Sequence, residues 1–204
     1  MRTEDFNCAC QSSKQSLRAF YSGLRKGLGE AARAQKSLVI TEYILSHCAA
    51  DCDVVMAYYS IGSEVATFDL MAKVLASGRG LALPYCREDG SMGVGRIFNL
   101  DGDIKKGAFG TAEPKDELKD NIGLDKIGVC VCPGVAFDRY GTRLGRGRAF
   151  YDNFLTALKG RAALIGCAFG CQISERPLPA DPHDVAMDLV VTENGAFGAI
   201  CGLF

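Results

Sequence analysis

Short apolar runs alternate with amphipathic stretches along most of this chain. Val54-Val-Met-Ala-Tyr-Tyr59, Leu81-Ala-Leu83, Ile127-Gly-Val-Cys-Val-Cys132, Ala162-Ala-Leu-Ile-Gly-Cys-Ala168 and Val185–Val191 read as strands. Each is apolar nearly throughout rather than at every second position, which is the pattern of a strand covered on both faces. The 81–83 run is expected to stop at Pro84, and Gly93–Phe98 is a further candidate strand. Helical spacing appears between these runs. Ser12 or Ser13 caps a first helix that carries Leu17, Phe20, Tyr21 and Leu24 on one face and breaks at Gly27 and Gly29. A second helix places Ile40, Tyr43, Ile44 and His47 on one stripe, with His47 at its end and without a catalytic role. Val65–Ala76, ended by Gly78 and Gly80, and Tyr151–Leu158 are the remaining helices. Residues 1–11 are expected to be loose, and 12–204 to form a single α/β domain. Its predicted core is a largely parallel, open, Rossmann-like sheet with helices on both faces. Ligands of such sheets bind beyond the carboxyl ends of strands. The ends of the 54–59 and 127–132 runs carry the most unusual sequence.

Composition narrows the function classes. A net charge of −1 gives no general field for polyanions, so nucleic acid is not an expected partner. No apolar run reaches the ~18 residues of a membrane span. The start, Met1-Arg-Thr-Glu-Asp5, is too acidic for a signal or transit peptide, so the expected location is cytoplasmic. Ten cysteines do not imply disulfides without a secretory signal; Cys48, Cys130, Cys132 and Cys167 sit in apolar runs as small hydrophobes. Cys8-x-Cys10 and Cys130-x-Cys132 lack the spacing of paired zinc knuckles, and Cys8 and Cys10 are expected to be prone to oxidation.

The densest chemistry follows the 127–132 strand, in Pro133-Gly-Val-Ala-Phe-Asp-Arg-Tyr-Gly-Thr-Arg-Leu-Gly-Arg-Gly-Arg-Ala-Phe-Tyr-Asp152. Gly141, Gly145 and Gly147 alternate with Arg143, Arg146 and Arg148 just before a helix. Glycines admit an anion close to the backbone, the helix N-terminus offers free amides and a positive dipole end, and arginines add bidentate phosphate donors. Asp152, in the first helical turn, is placed to hold magnesium beside those phosphates. The turn has neither the Lys-Ser/Thr ending of a P-loop nor the glycine spacing of a dinucleotide fingerprint. On local physics alone, a surface turn with solvated arginines remains open.

This string resembles the signature of the 5-formyltetrahydrofolate cyclo-ligase family. The match runs through Pro133, Gly134, Phe137, Asp138, Gly141, Arg143, Leu144, Gly145, Gly147, Tyr151 and Asp152. Ala149 stands where the family usually has glycine, and Phe150 where it often has tyrosine. The resemblance implies a single α/β domain that uses ATP and Mg2+ to turn 5-formyltetrahydrofolate into 5,10-methenyltetrahydrofolate, releasing ADP and phosphate. It further implies that Arg143 to Tyr151, with Lys14 and Arg18, hold the nucleotide. Tyr59 and Glu64, within Tyr59-Ser-Ile-Gly-Ser-Glu64-Val-Ala-Thr67, would hold the folate, with Arg146 to Phe150 alongside. Asp152 and Asp184 would bind the metal, and Arg146, Arg148 and Tyr151 would position the reactants, with no covalent or general-base residue.

Without the resemblance, the Lys14, Arg18 and Arg25 stripe also reads as a solvated face, Glu64 as a helix N-terminal charge and Asp184 as a turn residue. Glu113-Pro114 is read as structural, and Cys171, Ser174 and Glu175 receive no role. The partners expected are small molecules only, the state monomeric. Two other classes stay open at this point. One is a sugar-phosphate isomerase or acyl-transfer relative, which would turn over without ATP. The other is a non-catalytic nucleotide- or folate-binding homologue, for which the only hints are Ala149 and Phe150.

Overall fold

The apolar runs at 54–56, 129–132, 163–167 and 189–192 are buried along their whole length, and they lie side by side. The computed structural model describes residues 3–107, 110–147 and 150–198, with side chains described from Lys14 onward except that of Phe150. The first half runs α1 (Thr3–Gly27), α2 (Glu30–Tyr43), β1 (Val54–Met56), α3 (Phe68–Ala76), β2 (Gly80–Cys86), β3 (Met92–Ile97), β4 (Ile104–Lys106) and β5 (Ala112–Pro114). The second runs β6 (Val129–Pro133), β7 (Ala136–Asp138), β8 (Arg143–Leu144), α4 (Phe150–Leu158), β9 (Ala163–Cys167), β10 (Ile173–Ser174), β11 (Leu189–Thr192) and β12 (Gly195–Phe197).

The main sheet has the order β12-β11-β9-β6-β1-β2-β3. Its five inner strands are parallel; β3 and β12 close the two edges antiparallel. Strand periodicity sends alternate residues to opposite faces. Val129 and Val131 therefore join Ile40, Ile44, Leu70 and Val74 under α2 and α3. Cys130 and Cys132 join Phe154, Leu155 and Leu158 of α4 on the other face. Helices on both faces of a mainly parallel sheet is the predicted architecture.

Several elements differ from their expected course. α1 begins at Thr3, ahead of Ser12 and Ser13; no Gly or Pro precedes Gly23 to stop the helix from extending that far. Its inward row is Lys14, Tyr21 and Arg25, all buried, whereas Phe20 and Leu24 are exposed. The helix turns cations inward because it borders a polar cleft, and only Leu17 and Tyr21 pack with Val135, Ala136, Leu144 and Leu178. β2 runs through Pro84 to Cys86. Its parallel ladder with β1 ends at Ala82, so Pro84 lies where that side asks for no N–H. β11 begins only at Leu189: the Met187 N–H is donated to the Gly141 carbonyl (2.9 Å) instead of to a ladder.

The 133–152 signature is more than a turn. It contains the β7–β8 hairpin, which pairs with β10 in a separate three-stranded sheet. The buried Asp138 carboxylate builds the hairpin. Oδ1 accepts the N–H groups of Tyr140 and Thr142 (2.9 Å each), and Oδ2 accepts that of Leu178 (2.8 Å). Gly141 has φ +83°, and a Cβ there would come 2.3 Å from the Met187 carbonyl oxygen, so glycine is required on both counts. The fully buried Phe137 ring lies against Gly134 and Gly166, where added Cβ atoms would meet it at 2.4 and 2.6 Å. It joins the small sheet to the main one. Phe137→Ala is expected to destabilise the fold by about 3–5 kcal/mol, the usual loss for emptying a buried aromatic site, read from the urea unfolding midpoint. A loss below about 1 kcal/mol would show that the ring is not the joint between the sheets.

Candidate active site

The carboxyl ends of the parallel strands open into a cleft of about 1200 Å³. That is larger than the roughly 300–1,000 Å³ of a pocket for one small ligand. Its lining comes from α1, the loop after β1, the far end of β2, β5, the ends of β6 and β8, the first turn of α4 and the 181–184 loop. Residues far apart in sequence thus share one cavity.

The loop after β1 is braced from several sides. The Tyr58 hydroxyl donates to the Val65 carbonyl (3.1 Å), and the Thr67 hydroxyl to that of Tyr58 (2.5 Å). The backbone N–H of Ser60 and that of Thr67 each donate to the other's hydroxyl (3.2 and 3.3 Å). Arg25 reaches in from α1, with Nε on Ser63 Oγ (3.0 Å) and Nη1 on the Gly134 carbonyl (3.4 Å). This scaffold fixes Glu64, whose Oε2 accepts the Ile61 N–H (3.0 Å). Tyr59 is half-buried and lines the cleft beside it.

Arg146 donates from Nη2 to Glu64 Oε1 at 2.6 Å, joining the glycine-rich segment to the loop after β1. Arg18 donates from Nε to the Gly145 carbonyl (2.8 Å), and a Cβ on Gly147 would meet its guanidinium at 3.2 Å. Arg18 therefore lies directly over the glycines. Gly147 itself has φ +90°, a conformation that glycine takes without strain. Leu144 turns its side chain into the core beneath α1.

Arg143, expected among the phosphate-binding residues, lines the cleft and is also drawn onto α4. Its side chain is 4% exposed, bonded through Nη2 to Asp152 Oδ1 (2.6 Å), with the guanidinium 5.4 Å from the centre of the Tyr151 ring. Nη1 also donates to the Pro133 carbonyl (3.4 Å), so the side chain links the end of β6 to the start of α4. Burial pushes the Tyr151 phenol well above its usual 10, so it stays a neutral hydroxyl in the physiological range. Arg148, Ala149 and the side chain of Phe150 lie outside the described residues.

Lys14 is buried and donates to Asp181 Oδ2 (2.7 Å) and Asp184 Oδ2 (2.9 Å). Asp184 Oδ2 also accepts the Asp181 N–H (2.8 Å). Asp181, His183 and Asp184 bring possible ligand atoms within 4.8 Å of one another. Asp152 lines the same cleft but belongs to a different ion pair. Sequence reasoning missed Asp181. A single aspartate in a loop carries no signal by itself, though its place three residues before Asp184 was a clue. Glu113, read as structural, is buried and lines the cleft as well. No described helix is long and apolar enough to cross a membrane, and the seven cysteines with described side chains are free thiols.

Comparison with known proteins places this geometry in context. The model of the 5-formyltetrahydrofolate cyclo-ligase family matches residues 10–193. A 5-formyltetrahydrofolate cyclo-ligase of Mycolicibacterium smegmatis is 30% identical over 184 residues, covering 88% of this chain and 93% of that protein. One from Escherichia coli is 27% identical, with 88% and 95% covered. The solution structure of Aquifex aeolicus 5,10-methenyltetrahydrofolate synthetase superposes with a TM-score of 0.78 at 29% identity, covering 93% of this chain and 94% of the other.

The acid–base state of the Lys14 cluster can be checked directly. Burial opposes charge on Lys14, but hydrogen bonds to Asp181 and Asp184 outweigh it and hold the ammonium above its usual 10.5. Burial likewise opposes the charge on Asp184, and the Asp181 N–H with Lys14 holds that carboxyl below its usual 3.8. The Asp184 contribution to stability is present above its unfolded-state pKa of about 4 and is lost as pH falls through the lower folded value. The Lys14 contribution is complete below 10.5 and is lost as pH rises through the higher folded value. In Lys14→Met, Asp184 is expected to titrate at higher pH than in the wild type by carboxyl carbon NMR. An unchanged Asp184 titration would mean that the ion pair does not form in solution.

Proposed function

This chain belongs to the 5-formyltetrahydrofolate cyclo-ligase family, and from that premise we propose how its cleft performs the reaction. The enzyme converts 5-formyltetrahydrofolate to 5,10-methenyltetrahydrofolate at the expense of ATP. The observation that supports the residue assignments is one large cavity holding both the arginine- and glycine-rich segment and the Tyr59–Glu64 loop.

The chemistry asks for activation. A formamide oxygen is a poor leaving group. Transfer of the γ-phosphoryl group to that oxygen releases ADP and gives an activated imidate-type phosphate. N10 of the same folate then attacks the former formyl carbon and loses its proton. The C–O bond breaks, phosphate leaves and the five-membered ring closes. No enzyme nucleophile is needed, and catalysis consists of alignment and charge neutralisation.

In this reading Lys14, Arg18 and Arg146, with the backbone amides around Gly145 and Gly147, receive the phosphates. Arg148 joins them on the sequence pattern alone. Glu64 accepts from the amino-pyrimidine edge of the pterin, and Tyr59 covers its face. Arg143 holds Asp152 and Tyr151 in place. A magnesium ion suits the donor set. Asp184 and Asp181 offer hard oxygen ligands, and magnesium commonly takes one or two carboxylates together with substrate phosphates. Asp181 and Asp184 share the single Lys14 ammonium and so keep a net negative charge, whereas Asp152 has the Arg143 guanidinium to itself, which offsets the charge that a hard cation seeks. The ion would neutralise charge on the transferring phosphoryl group. The chain acts on small molecules and is proposed to do so as a cytoplasmic monomer.

Absorbance of the methenyl product is expected to grow only when 5-formyltetrahydrofolate, ATP and magnesium are all present. Growth without ATP would overturn the reading. Asp184→Asn is expected to move the magnesium activation curve to higher concentration by more than Asp152→Asn does, by about tenfold or more for the former, since even an outer-shell partner of a metal ligand is commonly worth that much. Equal shifts, or none, would remove Asp184 from the metal site.

A further inference from the structure

The cleft joins cations to carboxylates in three places, and the pairs differ in how firmly their ends are held. Arg143 and Asp152 are both largely buried and lie nine residues apart in one segment. Lys14 is buried and shared between two aspartates. The Arg146–Glu64 pair is lopsided: the arginine side chain is 51% exposed and the glutamate 7%. Glu64 is fixed by its bond from the Ile61 N–H and by the braced loop around it. Arg146 stands between Gly145 and Gly147, the latter in the left-handed region. The arginine is the movable end.

We propose that Arg146–Glu64 is a latch that couples the two substrate subsites. It rests on the assignments under Proposed function. In this structure the guanidinium required by the nucleotide phosphates is held by the carboxylate required by the pterin. A nucleotide arriving alone must draw Arg146 away and leave Glu64 Oε1, in a buried position, without its charge-assisted hydrogen bond. A pterin arriving first supplies amino-pyrimidine donors to that oxygen and frees Arg146 for the phosphates. Each substrate thereby removes a cost that the other would bear, so the affinities rise together and by the same factor.

Arg25 keeps the latch from locking. It lies close enough to feel both Glu64 and Arg146, while its own hydrogen bonds go to Ser63 Oγ and the Gly134 carbonyl. It places positive charge near both Glu64 and Arg146 and repels the latter, while its own hydrogen bonds among the described residues go elsewhere than Glu64. The vacancy left by Arg146 is therefore one that a neutral donor can fill. For the reaction, the latch withholds a cation from the γ-phosphate until folate is present. That disfavours idle hydrolysis of ATP, in the way that induced fit reserves a complete site for the correct substrate.

The test is calorimetric binding of the non-hydrolysable analogue AMPPNP with magnesium, with and without saturating 5-methyltetrahydrofolate, which has no formyl oxygen to phosphorylate. In the wild-type chain AMPPNP is expected to bind at least about fivefold tighter with the folate present, the lower end of ordinary site–site coupling. In Glu64→Gln, which keeps the shape but releases the arginine, AMPPNP alone is expected to bind tighter than to the wild type, and the coupling to fall within about twofold of none. Arg146→Ala, at an exposed side chain that threatens no core, is expected to bind AMPPNP more weakly and likewise to lose the coupling. Independent binding of the two ligands to the wild type would overturn the latch and leave the cleft assignment standing. Coupling that persists in Arg146→Ala, or AMPPNP affinity in Glu64→Gln no greater than in the wild type, would overturn it too. Failure of the wild type to bind either ligand would sink the assignment of the cleft, and the latch with it.

Discussion

The Asp138 carboxylate is the point on which the cleft is built. It is 1% exposed and carries no ion pair among the described residues; its charge is met by three backbone N–H groups, from Tyr140, Thr142 and Leu178. Backbone amides serve a buried anion well because they are already oriented and cost no side-chain entropy. Two of them close the β7–β8 turn and so aim the chain toward Arg143 and Arg146. The third holds the chain at Leu178, three residues before Asp181. The segment that presents cations and the loop that presents acids are thus referenced to one side chain, and Phe137 beside it ties both to the main sheet.

The same economy appears in α1. A helix that packed through Leu17, Phe20, Tyr21 and Leu24 would bury more apolar surface than this one does. The observed row of Lys14, Tyr21 and Arg25 gives up part of that stabilisation. Each buried cation then needs a compensating anion or carbonyl. Lys14 has two aspartates; Arg25 has a hydroxyl and a main-chain carbonyl. The helix is held to the body by polar contacts to the very segments that form the cleft, so its docking and the shape of the cavity are one property.

How much of this was legible in the residues varies with the element. The parallel strands were readable because a strand buried on both faces is apolar at every position, as at 129–132 and 163–167. The glycine–arginine segment was readable because so many constrained residue types rarely fall together by chance. The two- and three-residue strands β7, β8 and β10 were not, since a ladder that short leaves no periodicity. Pro84 misled because its effect depends on which side of the strand lacks a neighbour. Arg143 looked equivalent to Arg146 and Arg148, yet tertiary packing turned it inward onto Asp152. Asp181 was silent because one aspartate in a loop has many uses, and only the approach of Lys14 across 167 positions of sequence gives it this one.

That last distance has a consequence for how the protein comes into being. Lys14 meets Asp184 across 170 positions, Arg18 meets Gly145 across 127, and Arg25 meets Gly134 across 109. Chain leaves the ribosome from its N-terminus, so α1 emerges with its inward cations long before the groups that neutralise them. Contacts so distant in sequence also form slowly, because the closure entropy must be met first. Until the 181–184 loop is out, a nascent chain can pair much of its sheet but cannot close the mouth of the cleft. The ability to gather substrates thus arrives late in synthesis, and a molecule truncated before that loop would lack Asp181 and Asp184 together with β11 and β12, and so a completed site.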